Sequence, residues 1–230
     1  MMDGSGRVMR ERALAADGAP ALATLQSLAR ELAIWLLMGS LTVRTDEARI
    51  ANRSYLISDE GSVVATYDKI HMFDVALPDG KVIRESSTYR PGDRAVVADT
   101  PWGKLGMTVC YDLRFPALFR VLAQAGAHFV SVPSSFQRQT GRSHWHALLK
   151  ARAIENECFV VAPAMCGDHP GNRQTYGHSL IIDPWGEILA EAGESVEVIC
   201  ADIDPARVTR ARSMIPSLVH DRAFQPPSSN

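Results

Sequence analysis

The chain has 230 residues, of which 46% are apolar and 22% charged, with 24 basic against 26 acidic side chains and a formal charge of -2. That is enough apolar surface for a sizeable core, so disorder of the whole chain is excluded. The near-balanced charge advertises neither a nucleic-acid surface nor a solvating acidic tail.

In chain order, Ala21 to Ala33 carries Leu22, Leu25, Leu28, Ala29 and Leu32 at helical spacing and is predicted as a helix. Trp35 to Thr42 follows as an apolar strand. The run Ile34 to Met38 is too short to span a bilayer and lacks signal-peptide flanks, so a cytoplasmic protein without membrane partners is expected. Ser54 to Ile57 and Val63 to Tyr67, joined by Ser58-Asp59-Glu60-Gly61, read as a hairpin. Residues 74 to 94 read as a long surface loop. A second hairpin spans Arg94 to Cys110, turning at Thr100-Pro101-Trp102-Gly103, with its second strand over Leu105 to Val109. Pro116 to Ala125 is predicted helical, with Pro116 suited to the first turn.

Ala127 to Val132 reads as a strand and Pro133 to Gly141 as a loop. Ser143 reads as the N-cap of a helix over His144 to Asn156. Phe159 to Ala162 is a strand, and Ala164 to Thr175 a polar loop. A third hairpin, Ser179 to Glu191, turns at Asp183-Pro184-Trp185-Gly186. Val196 to Ile203 is the last predicted strand, Pro205 to Arg212 a short helix, and Gln225 to Asn230 a loose tail. Hairpins mixed with strand–helix alternation predict two packed sheets with helices outside them. No linker divides the chain, so residues 1–230 are read as one domain.

Four cysteines, Cys110, Cys158, Cys166 and Cys200, show no CxxC pairing, which signals neither a disulfide framework nor a zinc site. At least three are expected to be small buried apolar residues. Cys110 is the exception in its setting. An apolar strand runs into it, and a polar break and a helix follow, the pattern of a nucleophile elbow with sulfur in place of oxygen. Such a turn aims backbone N–H groups and a helix N-terminus at the side chain. Lys69 ends the strand Val63 to Asp68, where an ammonium could stabilise a thiolate and later an oxyanion. Glu85, in Arg84-Glu85-Ser86-Ser87, could orient that lysine. Taken singly, each also reads as a core thiol, a solvated lysine and a loop acid. His71 lies two residues after Lys69, so a Cys110–His71 pairing is a further alternative. His144 and His146 look like a metal pair, but residues two apart on a helix point roughly 200° apart. His178 reads as a satisfied imidazole.

Together these positions resemble the nitrilase superfamily of carbon–nitrogen hydrolases. The resemblance is carried by Tyr67-Asp68-Lys69-Ile70-His71, Glu85-Ser86 with Arg90-Pro91-Gly92-Asp93, and Thr108 to Pro116. It continues in Ser135-Phe136, Thr140-Gly141, His144-Trp145, Ala151 to Asn156, and Tyr176-Gly177-His178-Ser179. It extends from Ala21 to Val208, leaving 1–20 and 213–230 peripheral, and is nearest to the branch of omega-amidases and deaminated-glutathione amidases. It implies an α/β fold, an α-β-β-α sandwich of two mixed sheets, that assembles as a homodimer or higher homo-oligomer. It also implies Cys110 as nucleophile, Lys69 holding the oxyanion with the N–H of Tyr111, and Glu85 in support. Tyr111, Arg114 and Phe136 are expected to bind substrate, a small-molecule amide. No cofactor and no metal are implied.

One part of the family pattern has no counterpart. Its general base is a further glutamate at the end of an early strand, upstream of the helix over Ala21 to Ala33. Met1 to Arg12 contains only Asp3 and Glu11 as acids and no strand ending in Pro-Glu. The family's first strands and helix are therefore expected to be lacking. A start placed too far downstream, a truncated product, or substitution by Glu85 or a histidine would each account for this. The expected function is hydrolysis of a linear, non-peptide amide of a small carboxylic acid through a thioester. An inactive homologue acting as an interaction partner, or an acyltransferase using the same thioester, are the alternatives.

Overall fold

The computed structural model describes residues 14–15, 20–45, 49–77, 80 and 82–227. Helix α1 (Pro20–Leu32) leads into a four-stranded sheet, β1 (Leu14–Ala15), β2 (Leu36–Arg44), β3 (Ile50–Ile57) and β4 (Val63–Asp68), in that spatial order. β1 runs parallel to β2, and the other pairs are antiparallel. The small hairpin β5 (Asp74–Ala76) and β6 (Val82–Arg84) follows, then a 3₁₀ turn over Glu85–Ser87.

The second sheet has six strands. They are β7 (Val96–Thr100), β8 (Gly103–Met107), β9 (Ala127–Ser131), β10 (Phe159–Ala162), β13 (Leu180–Ile182) and β14 (Ile188–Glu191), ordered β14-β13-β10-β9-β8-β7. β8, β9 and β10 are parallel, and the outer pairs are antiparallel, so the sheet is mixed. The parallel steps are bridged by α2 (Pro116–Gln124) and α3 (Arg138–Asn156). A two-stranded ribbon, β11 (Cys166–His169) with β12 (Arg173–Tyr176), and the helix α4 (Ala206–Met214) complete the described chain.

Side-chain alternation along the strands builds three apolar layers. α1 packs Leu22 and Ala29 on Met38, Val43, Ala51, Tyr55 and Ile57. From the other face of the same sheet Leu56 and Tyr67 meet Ala98, Met107 and Val109 of the second. Beyond that, Val130 and Val160 pack under Phe119, Leu122, Trp145 and Leu149 of α2 and α3. The result is the expected α-β-β-α layering.

Several local expectations are corrected. α3 begins at Arg138 with Gln137 preceding it, not at Ser143, which lies exposed inside the helix. Gly141, expected as the end of the loop Pro133 to Gly141, lies inside the helix, where a Cβ would stand 2.4 Å from Cβ and Cγ of Tyr176. The glycine lets β12 approach the helix. Ala164 to Thr175 is largely the ribbon β11–β12 and not loop, its polar composition suiting strands that edge a cavity. Residues 74 to 94 hold β5, β6 and a turn that buries Glu85. Val196 to Ile203 forms no strand, and Val196 and Val198 are 95% and 89% exposed. The segment pairs with none of the described strands. For the same reason Cys200 is exposed. Only Cys158 is buried among the cysteines, with Cys110 and Cys166 half-buried. Of the expected tail, Gln225 to Pro227 are exposed and 228–230 lie outside the described residues.

Alanine is a better helix former than glycine by about 1 kcal/mol. Gly141→Ala is nevertheless expected to destabilise the protein by about 1–3 kcal/mol, because overpacking against Tyr176 outweighs the propensity gain. A lower thermal melting midpoint than the parent's is the check.

Candidate active site

β8 ends at Met107, and Thr108 clamps the chain to β9 through N–H and hydroxyl bonds to the Ser131 carbonyl at 3.2 and 2.7 Å. Cys110 follows at φ +52°, its N–H donating to the Pro133 carbonyl at 3.0 Å, and opens a 3₁₀ turn, Cys110–Arg114, that runs into α2. A non-glycine residue in the left-handed region holds strain of about 1–3 kcal/mol and persists where its surroundings over-determine it. Here they do. Asp112, fully buried, accepts from the Val109 N–H (2.8 Å), the Tyr67 hydroxyl (2.7 Å), the His71 N–H (3.0 Å) and His71 Nδ1 (2.7 Å). From the other side, Arg152 of α3 donates Nε and Nη2 to the Leu113 carbonyl at 3.0 and 2.8 Å.

The Asp112 hub does more than brace the turn. Tyr67 and His71 flank Lys69, so one carboxylate fixes the end of β4 to the Cys110 turn of the other sheet. Burial and the neighbouring Asp112 carboxylate push the Tyr67 phenol well above its ordinary range, which keeps it a donor. His71 stacks on Phe115 at 3.6 Å between ring centroids, 7° from parallel. It is bound into this brace, which argues against the Cys110–His71 alternative.

Lys69 is 2% exposed, and its Nζ donates to Glu85 Oε2 at 2.5 Å. The same oxygen accepts the Phe73 N–H at 2.6 Å, while Glu85 Oε1 is buried with no hydrogen-bond partner. Lys69, Glu85 and Cys110 line one cavity of about 570 Å³ between the sheets' ends, together with Tyr111, Phe136 and Arg173. Burial pushes the Cys110 thiol up. Lys69 and a hydrogen bond from the Ser135 backbone pull it down, Glu85 and Asp112 push it up further, and the balance is upward.

Three sequence-derived candidates, Cys110, Lys69 and Glu85, are thus brought to one cavity, and Tyr111 and Phe136 form its aromatic wall. Arg114 does not line it. Its guanidinium lies 5.3 Å from the Phe136 ring and 6.0 Å from the Tyr111 ring, with Nη2 3.3 Å from His144 Nδ1, so it backs that wall. His146 and His178 both bond Glu191 Oε1, at 2.8 and 2.9 Å. His178 is satisfied as expected. These three residues could face a metal ion, but their ligand atoms are already joined as donor and acceptor. Burial pushes the Glu191 carboxyl up, but the two imidazole bonds outweigh it and hold the group below its usual range.

Two residues were missed. Asp112 stands in the quoted Cys110 motif but was given no role. Arg173 lies within the expected polar loop Ala164 to Thr175, and nothing local reveals that the ribbon folds it inward. The acids that line the cavity among the described residues are Glu85 and Glu197, the latter accepting the Gly193 N–H at 2.6 Å. Asp3 and Glu11 lie outside the described residues. Also among the described residues, no helix is long and apolar enough to cross a membrane.

Residues 5–213 match a family model described as carbon-nitrogen hydrolase. The chain is 43% identical over 210 residues to a deaminated glutathione amidase of Yersinia enterocolitica, covering 90% of this chain and 73% of that protein. Among solved structures it is similar to the Caenorhabditis elegans NitFhit protein, with TM-score 0.88 and 38% identity over 95% of this chain and 54% of that one. It is also similar to a mutant of the amidase from Nesterenkonia sp. AN1 that carries a covalent addition at its active site cysteine. That match has TM-score 0.75 and 25% identity, over 90% of this chain and 75% of the other.

Proposed function

The chain belongs to the carbon–nitrogen hydrolase family, and from that premise we propose that it is an amidase whose nucleophile is Cys110. Its substrate is a linear, non-peptide amide of a small carboxylic acid. Residues from three separate segments, Lys69, Glu85 and Cys110, converge on one cavity, and that observation carries the reading. The likeness to a deaminated glutathione amidase and to an amidase modified at its cysteine supports it.

In the first step the Cys110 sulfur bonds to the amide carbon, and the carbonyl π pair moves onto oxygen. Lys69 Nζ and the Tyr111 N–H stabilise that oxyanion. The C–N bond then breaks, ammonia leaves with the thiol proton, and a thioester remains. Water adds to the thioester, the C–S bond breaks, and acid and free thiol are released. Glu85 holds the Lys69 ammonium in place. Burial disfavours the Cys110 thiolate and Lys69 favours it, and the proposed first step takes the thiol proton away as the sulfur attacks.

The purified chain is expected to release ammonia from small amides, and intact-mass measurement during turnover is expected to show an acyl adduct on Cys110. Added hydroxylamine distinguishes transfer from hydrolysis by diverting the acyl group into a hydroxamate. Absence of both ammonia and adduct, or an adduct on another residue, refutes the proposal.

A further inference from the structure

We propose that His146, His178 and Glu191 form a binding site for a divalent transition-metal ion of the zinc class. None of the three lines the Cys110 cavity, so the inference stands apart from the amidase reading. His146 projects from the middle of α3, His178 lies between β12 and β13, and Glu191 ends β14. Their ligand atoms all lie within 4.8 Å of one another, and among the described residues no other three His, Cys, Asp or Glu side chains converge so closely. Helix geometry denies His146 a shared ion with His144. The fold gives it a different partner, His178, from beyond the end of the ribbon.

Two imidazoles and a carboxylate are the donors of open zinc sites, where water completes a four-coordinate ion, whereas magnesium and calcium prefer oxygen throughout. The donors are set in place by their surroundings. His178 sits at φ +54°, held by the Trp145 Nε1 bond to its carbonyl (2.7 Å) and by its own N–H bond to the Gly193 carbonyl (3.0 Å). Strain fixed from both sides in this way aims a side chain. Tyr176 stacks on His178 with ring centroids 4.3 Å apart and meets His146 edge-on at 6.0 Å, so both rings are steered towards Glu191. Hydrogen bonds of 2.8 and 2.9 Å join the two rings to Glu191 Oε1. These bonds do not oppose an ion. Each neutral ring keeps its one proton and moves it to its other nitrogen, which bonds nothing among the described residues. The ion then takes the place of the two bridging protons. Ligand atoms about 2.0–2.1 Å from a tetrahedral zinc stand about 3.3 Å apart, so the carboxylate retreats by about 0.5 Å. Glu191 has that freedom, with its side chain 37% exposed at a strand end. Although burial opposes it, the imidazole bonds hold its carboxyl below the usual range, so it is ionised at neutral pH.

The test titrates zinc chloride calorimetrically into the full chain and into His146→Gln, Glu191→Gln and Cys110→Ala. One zinc per chain is expected. His146→Gln and Glu191→Gln should each weaken its binding by about tenfold or more, and Cys110→Ala should leave it unchanged. Both glutamines keep a hydrogen-bonding group at a partly exposed position, so these variants are expected to fold. Saturating zinc should raise the melting midpoint of the parent and of Cys110→Ala but not of the other two, since the ion ties α3 to β14 only where its ligands are intact. Cobalt(II) in place of zinc should give a visible spectrum without sulfur-to-metal charge transfer, and an equal concentration of magnesium should not compete. No zinc uptake by the parent, or uptake unchanged in either His146→Gln or Glu191→Gln, overturns the inference. So does a sulfur-to-metal band or a loss of uptake in Cys110→Ala, either of which places the ion on a cysteine.

Discussion

Cys110→Ala is expected to lower ammonia release by about 10⁴-fold or more, the scale seen when a covalent catalyst loses its nucleophile. Stability should change by less than about 1 kcal/mol. The backbone reason is that Cys110 sits at φ +52°, where alanine is strained as much as cysteine, so the substitution neither relieves nor adds turn strain. The packing reason is that the side chain is half-buried at the cavity wall, where removing one sulfur opens space already continuous with the cavity. Full loss of turnover with an unchanged melting midpoint would tie the chemistry to the sulfur. A variant that keeps more than about one-tenth of the parent rate would exclude Cys110 as nucleophile.

The same thiol supplies a pH signature. Its pKa is raised, so the folded protein holds the proton above the pH at which an ordinary cysteine loses it. Alkylation of Cys110 by iodoacetamide should therefore be slow at neutral pH and still rising where the free amino acid cysteine has levelled off. A Cys110 profile lying below that of the free amino acid cysteine on the pH axis would mean that Lys69 outweighs burial.

Which features were legible in the sequence depended on the range over which they are specified. α1, α2 and the hairpins β3–β4, β7–β8 and β13–β14 were readable because period and turn residues lie close together in the chain. Cys110, Lys69 and Glu85 were readable only through ordered motifs far apart in the chain. Nothing local says that a lysine at the end of β4 meets a glutamate sixteen positions on, a bond made between β4's end and the buried 3₁₀ turn. Arg173 was opaque because its burial is a property of the ribbon's docking and not of its own segment. Gly141 misled for the same reason. The contact that requires a glycine there comes from Tyr176, 35 positions away. Arg114 was placed at the cavity by its nearness to Cys110 in sequence, but the turn carries its side chain behind Tyr111 and Phe136. Val196 to Ile203 shows the converse failure. A strand pattern is only half of a strand, and the neighbour that would complete it is missing from the described residues.

Lys69→Met is expected to damage both fold and chemistry, and a second substitution should separate the two. Lys69 and Glu85 are 2% and 4% exposed and bonded at 2.5 Å, so removing the ammonium leaves a buried carboxylate facing only the Phe73 N–H. Breaking a buried pair from one side costs about 3–5 kcal/mol. Loss of an oxyanion donor costs about 10²–10³ in kcat. Lys69→Met/Glu85→Gln removes the stranded charge and keeps a polar group for the Phe73 N–H, so most of the stability should return. Turnover should not return, because no cation faces the developing oxyanion. Urea unfolding and ammonia release on the parent, both single variants and the double variant close a cycle in which stability couples strongly and rate does not. If the double variant regains turnover together with stability, Lys69 serves only to neutralise Glu85 and the oxyanion is held elsewhere. If Lys69→Met turns over within about tenfold of the parent, the lysine has no part in the chemistry at all.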